Sequence, residues 1–419
     1  MPDKLMKLVV FSHKPCWQSH ASASGYATDG GFPIQMAALA NLFEHTRILV
    51  PVAGTGPLKG EMPLGGKNIE IVPLLPPFGK GWLRKMLFPV WLVCTTPRIV
   101  AALLRSDAVH APIPGDVGTV GMLLAWMLRK PLFVRHCGNW LKPVTFAERF
   151  WRWFMEAVAG GRNVMLATGG AAESPSQKNS NVQWIFSSSL TREELSRCAC
   201  SRKYPSTGNV RLVIAARQEI AKGAGTVVRA LPRLAKTFPG ISLEIIGQGS
   251  AIPDFKRMAK ECNVTSRVHF PGKLSHDQVM CRLGDATLFV FPTTSSDGFP
   301  KAVLEGLASG LPVVATRVSV LPELIGSGCG VLINGATPDA VAWGVEQALA
   351  DASRYEAMSH AAIEMAQRYS LEAWRDRIQL HLSAAWGPLN ARQYQELKSK
   401  AAEGTAAVLQ PPASAISKI

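Results

Sequence analysis

Short apolar and β-branched runs recur along the first half of the chain, at Lys7 to Phe11, Thr46 to Val50, Ile69 to Val72, Ala108 to His110, Pro131 to Val134 and Val164 to Ala167. Stretches of helical periodicity separate them, and strands that alternate with helices predict βαβ units in a parallel sheet. A second series of the same kind runs through Arg211 to Ala215, Ser242 to Ile246, Arg267 to Phe270, Thr287 to Phe291, Pro312 to Ala315 and Gly330 to Ile333. It predicts a second doubly wound sheet. Three helical stretches come after it, near Pro338 to Leu349, Ser353 to Ala366 and Leu371 to Trp386.

Between the two series, Arg192 to Gly208 is polar, rich in Ser, Cys and basic residues, and ends in Pro205-Ser-Thr-Gly208, a composition that predicts an interdomain linker. The predicted organisation is an N-terminal domain over 1–190, a linker over 191–209, a C-terminal domain over 210–368, a crossover helix over 369–390 and a mobile tail over 391–419. A length of 419 residues suits two domains, and 47% apolar with 18% charged residues excludes global disorder.

A formal net charge of +15 implies an acidic partner: a phosphate-bearing ligand, an anionic membrane or nucleic acid. No zinc-finger or helix-turn-helix spacing exists, and no basic run is interleaved with exposed aromatics in a recognisable nucleic-acid module, so nucleic acid is set aside. The eight cysteines are scattered without C-x-x-C spacing and read as reduced thiols. The N-terminus reads as a first strand and not a signal peptide, so a cytoplasmic location is expected.

Ligands of doubly wound sheets sit outside the carboxyl ends of the strands, so the chemistry is sought in strand-to-helix loops. Arg217 and Lys222 follow the strand Arg211 to Ala215. Such a pair suits a diphosphate, because Arg forms a fork on phosphate oxygens and Lys supplies a movable charge, although a solvated surface pair has the same pattern. Gly247-Gln248-Gly249 follows Leu243 to Ile246; its glycines allow close backbone approach to a ligand, or serve a plain turn. In the block Thr293 to Thr316, Pro300 suits the first turn of a helix whose free N–H groups attract anions, and Gly298 lets the loop press on a ligand. Glu305 falls among Val303, Leu304, Leu307 and Ala308, where a carboxylate needs a partner such as a sugar's vicinal hydroxyls. Asp297 lies on the preceding loop, nearer a reacting sugar, or complements the helix dipole.

These motifs, in order from Val210 to Pro322 together with Val268-His-Phe-Pro-Gly272 and Gly310-Leu-Pro-Val-Val-Ala-Thr316, resemble the family-4 (group 1) retaining glycosyltransferases of GT-B fold. The resemblance implies an α/β protein of two Rossmann-like domains facing across a cleft, with the C-terminal helix returning to the N-terminal domain. It implies a donor site of Gly30, Gly31, Arg217, Lys222, Gly247, Gly249, Asp297, Gly298, Phe299, Pro300, Lys301 and Glu305, with Arg217 and Lys222 on the diphosphate and Glu305 on the ribose. His136 matches the family's histidine near the transferred sugar, and competes with a structural reading; His13 and His110, which also follow strands, read as structural, with a place near the acceptor left open for His13. The family pattern is Glu-x7-Glu, and Asp297 departs from it by one methylene, which leaves the donor sugar open.

The activity that the resemblance implies is that of a retaining hexosyltransferase, which moves a hexose or N-acetylhexosamine from a nucleotide-diphosphate sugar to a glycan or lipid-linked acceptor, in polysaccharide or glycolipid biosynthesis. The nucleotide sugar is a co-substrate, no further cofactor is expected, and no D-x-D run exists to hold a metal. The rivals are a sugar-nucleotide epimerase of the same architecture and a catalytically silent nucleotide-sugar-binding subunit. A nicotinamide oxidoreductase is disfavoured by the lack of G-x-G-x-x-G after any strand. Lys80, Trp82, Arg84 and Lys85 open an amphipathic segment that predicts peripheral contact with an anionic membrane on its inner face, and Pro89 is expected to keep that segment short. No spanning helix is expected. Phe146, Phe150, Trp153, Phe154 and Ala157 form a second stripe, capped by Thr145 and Glu148, that predicts a core helix with Trp151 and Arg152 outside.

Overall fold

The computed structural model describes residues 6–54, 61–79, 81–143, 145–171, 173–205, 208–296 and 298–389; the expectations for Lys80, Asp297 and the 391–419 tail lie outside the described residues. The chain divides into two compact units, one of Met1–Ser189 with Leu371–Ile419 and one of Leu190–Ser370.

The N-terminal unit contains β1 (Lys7–Phe11), β2 (Cys16–Gln18), β3 (Tyr26–Asp29), α1 (Phe32–Ala40), β4 (His45–Ala53), β5 (Glu61–Pro63), β6 (Ile69–Leu74), α2 (Gly81–Leu104), β7 (Ala108–Ile113), α3 (Asp116–Met127), β8 (Leu132–His136), α4 (Phe146–Val158), β9 (Asn163–Thr168) and β10 (Val182–Ile185). Its parallel strands lie in the order β10-β9-β8-β7-β1-β4, with β6 also parallel to β4. Such strands are covered on both faces, which is why Leu8, Val9, Val10 and Phe11 are all fully buried. Strand β2 pairs parallel with the end of β4, and β3 and β5 follow it antiparallel, all too short to leave a periodic signal in the sequence. The terminal helix Leu371–Trp386 belongs to this unit; Arg135 lies over the Trp374 ring at 5.2 Å, and Trp386 Nε1 donates to the Arg162 carbonyl at 2.8 Å.

Two helices differ from expectation. Helix α2 does not stop at Pro89 but runs 24 residues, through Pro89 and Pro97, to Leu104. It is long and apolar enough to cross a membrane by length and composition alone. One of its faces is packed: Trp91, Thr95, Ile99 and Leu103 are buried, and Trp91 Nε1 donates to the Leu75 carbonyl at 2.8 Å. Tertiary burial of that face offsets the roughly 3 kcal/mol that an interior proline costs a helix. Helix α4 has the expected cap, with the Thr145 hydroxyl accepting from Glu148 N and the Glu148 carboxylate accepting from Thr145 N. Its facing follows the prediction only at Phe154, which is buried: Phe146, Phe150, Trp153 and Ala157 are exposed, while Trp151 packs against the core beside Phe154 and Met155. An aromatic stripe marks a face, and only the neighbours decide which face turns inward.

The C-terminal unit contains α5 (Arg192–Cys198), β11 (Arg211–Ala215), a 3-10 turn (Ile220–Lys222), α6 (Ala224–Thr237), β12 (Ser242–Ile246), α7 (Ile252–Glu261), β13 (Val268–Gly272), α8 (His276–Gly284), β14 (Leu288–Phe291), α9 (Lys301–Ala308), β15 (Val313–Thr316), α10 (Leu321–Ile325), β16 (Gly330–Ile333), α11 (Pro338–Ala348) and α12 (Ala352–Gln367). The strand order is β13-β12-β11-β14-β15-β16, all parallel. The segment predicted as a linker is packed into this unit. Thr191 and Glu194 form a capping box that starts α5, the Arg202 guanidinium donates to the Ser309 carbonyl at 2.9 and 2.8 Å, and Tyr204 Oη donates to Leu349 O at 2.8 Å. Polar composition misleads there because those side chains satisfy backbone carbonyls of neighbouring elements.

Candidate donor site and family

In the C-terminal unit the strand order reverses between β11 and β14, so their carboxyl ends form the topological switch point where open α/β sheets bind ligands. The loop after β11 carries Arg217 and Lys222, and the loop after β14 leads to α9. Both loops are joined directly. Thr294 N donates to the Ala221 carbonyl at 2.9 Å and the Thr293 hydroxyl to the same oxygen at 3.0 Å. Gly223 closes the 3-10 turn at φ +87°, where a Cβ would come within 2.3 Å of the Pro292 carbonyl oxygen. The Arg217 side chain is exposed and makes no hydrogen bond or ion pair among the described residues, whereas Lys222 is buried at 6% exposure.

Gly247 and Gly249 follow β12, and the structure shows what their lack of a side chain permits. A Cβ on Gly247 would lie 2.0 Å from the Ala216 carbonyl oxygen, and one on Gly249 would lie 2.1 Å from that of Gln218. The contact is with the neighbouring loop: Gln218 N donates to Gln248 O at 2.9 Å, and Ala251 N donates to Gln218 O at 3.1 Å. The two glycines therefore seat the backbone on either side of Arg217.

Pro300 stands just before α9 as its N-cap, and Phe299 is buried against Tyr369, with ring centroids 5.4 Å apart. Gly298 and Lys301 are half-buried on either side of them. Glu305, in the second turn of α9, has a side chain only 16% exposed. His276 at the head of α8 faces it, with Nδ1 3.6 Å from Glu305 Oε1 and Nε2 3.8 Å from Glu194 Oε1. Burial raises the pKa of the Glu305 carboxyl, and the nearby charges of His276 and Lys301 draw it back down. Sequence reasoning missed His276 and Glu194. His276 follows the capping Ser275 at a strand-to-helix junction, the position that marked the other site residues, while Glu194 was hidden in the supposed linker.

The remaining predicted site residues lie in the N-terminal unit. Gly30 adopts φ +70° and Gly31 caps α1. His136 ends β8 with 1% exposure, lies edge-on to Trp140 at 5.3 Å, and has a buried Nδ1 that meets no side-chain partner among the described residues; burial pushes its pKa down to about 4. His110 is fully buried, stacks on Phe133 at 4.2 Å and places Nδ1 3.1 Å from the Phe133 carbonyl oxygen, the structural part expected of it.

In the C-terminal unit the loops after β11 and β14 and the helix α9 carry a solvent-facing guanidinium, a buried lysine, a helix N-terminus and a shielded carboxylate at the carboxyl ends of the strands. It can bind an anion next to a polyol. Residues 201–365 match the family model described as glycosyl transferases group 1. A GDP-mannose-dependent alpha-(1-6)-phosphatidylinositol monomannoside mannosyltransferase of Mycolicibacterium smegmatis is 30% identical over 163 residues, 37% of this chain and 42% of that protein. A glycogen synthase of Mycobacterium tuberculosis is 31% identical over 144 residues, 34% of this chain and 33% of that protein. The chain thus spans less than half the length of these curated relatives. Among solved structures, Anabaena HepE in complex with UDP and glucose superposes with a TM-score of 0.65 at 16% identity, covering 90% of this chain and 100% of that one. WaaG, a glycosyltransferase involved in lipopolysaccharide biosynthesis, has a TM-score of 0.57 at 14% identity, covering 91% of this chain and 100% of that one. The chain has the GT-B fold, and residues 201–365 of its C-terminal unit are similar to the group 1 glycosyltransferases.

Proposed function

We propose that this protein transfers a hexose or N-acetylhexosamine from a nucleotide-diphosphate sugar to a glycan or lipid-linked acceptor, with retention and without a metal or further cofactor. The observation that carries the reading is the joining of the Arg217–Lys222 loop to the loop that leads into α9, at the switch point of one Rossmann-like sheet. Arg217 and Lys222 neutralise the diphosphate as it leaves, and the positive end of the α9 dipole adds to that field. Glu305 accepts hydrogen bonds from the ribose hydroxyls. Asp297 and His136 orient the transferred sugar.

A phosphatidylinositol monomannoside mannosyltransferase among the relatives favours a hexose and a lipid-linked acceptor. Contact with an anionic membrane at the head of α2 would suit such an acceptor: Trp82 is 70% exposed there, next to exposed Arg84 and Lys85. All eight cysteines are free thiols, which fits work on the cytoplasmic side.

Thermal stabilisation and turnover measured across a panel of nucleotide sugars test the reading. One or a few donors should stabilise the protein, Arg217→Ala should weaken that binding at least tenfold, and Glu305→Ala should abolish transfer. No response to any donor would end it, and formation of an epimer from donor alone would replace transfer with isomerisation.

A further inference from the structure

All the large apolar side chains that stand exposed among the described residues, except Leu75, Ile220 and Trp343, lie between Trp82 and Trp153. On α4, Phe146 (77% exposed), Phe150 (38%) and Trp153 (55%) are spaced by four and three residues and so share one face. Beside that face opens a cavity of about 470 Å³, lined by Leu141, Arg149, Arg152, Trp153 and Lys178 along with Glu156 and Glu173. Arg152 is committed, to Glu156 at 3.2 Å and to the Trp140 carbonyl at 3.1 Å. Arg149 and Lys178 are exposed, and their side chains hold no hydrogen bond or ion pair among the described residues. Three cations against two carboxylates leave the cavity positive, and exposed Lys142 adds to it.

An apolar rim on one side of a cationic hollow, with Leu141 and Trp153 lining the hollow itself, matches a molecule with a negatively charged head and hydrocarbon chains. Aromatic side chains settle at the boundary between headgroups and acyl chains, and Arg and Lys pair with the phosphates just outside it. A soluble anion would use the hollow and leave the rim exposed to water. A lipid in a bilayer satisfies both at once.

We propose that the cavity beside α4 receives the phosphate-bearing headgroup of an anionic bilayer lipid, while Phe146, Phe150 and Trp153 enter the acyl layer. This deepens the transferase reading, on which only the assignment of the lipid as acceptor or acceptor anchor rests. Binding itself does not depend on transfer.

The test is co-sedimentation of the full chain with vesicles of phosphatidylcholine, alone or with phosphatidylglycerol. Binding should be at least tenfold stronger to the anionic vesicles. The pair Phe150→Ser and Trp153→Ser should lower it at least tenfold on both kinds. The pair Arg149→Gln and Lys178→Gln should remove the preference for phosphatidylglycerol, with circular dichroism unchanged in each variant. Vesicle binding indifferent to both pairs overturns the proposal. So does glycerol phosphate that binds in solution, by calorimetry, as tightly as the lipid does in a bilayer. Loss of nucleotide-sugar binding alone would end the transferase reading and leave the lipid site standing; loss of vesicle binding alone would do the reverse.

Discussion

Glu305 answers to its neighbours before any ligand reaches it. Its side chain is 16% exposed, and His276 stands 3.6 Å away. Burial favours the protonated carboxyl and the charge on His276 favours the carboxylate, so the two influences oppose each other. In its proposed place at a ribose Glu305 acts as a double acceptor when ionised, and removing His276 removes part of what keeps it ionised. His276→Ala should therefore move the midpoint of donor binding against pH upward, which titration calorimetry with the nucleotide sugar at several pH values would show. A midpoint that stays in place would detach His276 from the site. Gly249 lives at the same scale: its motif was legible as a glycine turn, but its close neighbour, the Gln218 carbonyl oxygen, belongs to the loop after a different strand.

Helices carry the largest departures from the sequence reading. The start of α4 was readable because a capping box is a local device: Thr145 and Glu148 exchange hydrogen bonds across three residues. Thr145→Ala should lower the stability of the N-terminal unit by about 1 kcal/mol, measured by urea unfolding, since it removes the side-chain acceptor for an otherwise unpaired helix N–H. Which side of α4 faces water was not readable, because Phe146, Phe150 and Trp153 make as good a core stripe as an exposed one. The length of α2 was misread for a related reason. Proline is a local breaker, yet packing of Trp91, Ile99 and Leu103 carries the helix through Pro89 and Pro97.

At the scale of the whole molecule, acid should act first on the N-terminal unit. His110 and His136 are buried there as neutral rings, with pKa values pushed down by burial to about 3 and about 4 from 6.5. The unfolded chain therefore takes up these protons before the folded one does. Their contribution is complete above pH 6.5 and is lost as pH falls below it, with a slope of about 1.4 kcal/mol per pH unit for each histidine until the folded value is reached. Urea midpoints of this unit should fall accordingly between neutral pH and the folded-state values, and His110→Phe should remove one proton from a slope that His136 and the similarly lowered His381 share. The sequence by itself determined the two βαβ series, the strand-to-helix loops that bear Arg217, Lys222 and Glu305, and the caps, because each rests on periodicity or on contacts within a few residues. Tertiary structure alone decided that the Gly247 and Gly249 turn seats the Arg217 loop, that His276 faces Glu305, that the supposed linker packs as α5, and that the aromatic face of α4 is turned outward. Each of these depends on which distant backbone or side chain occupies the neighbouring space, and no local pattern encodes that.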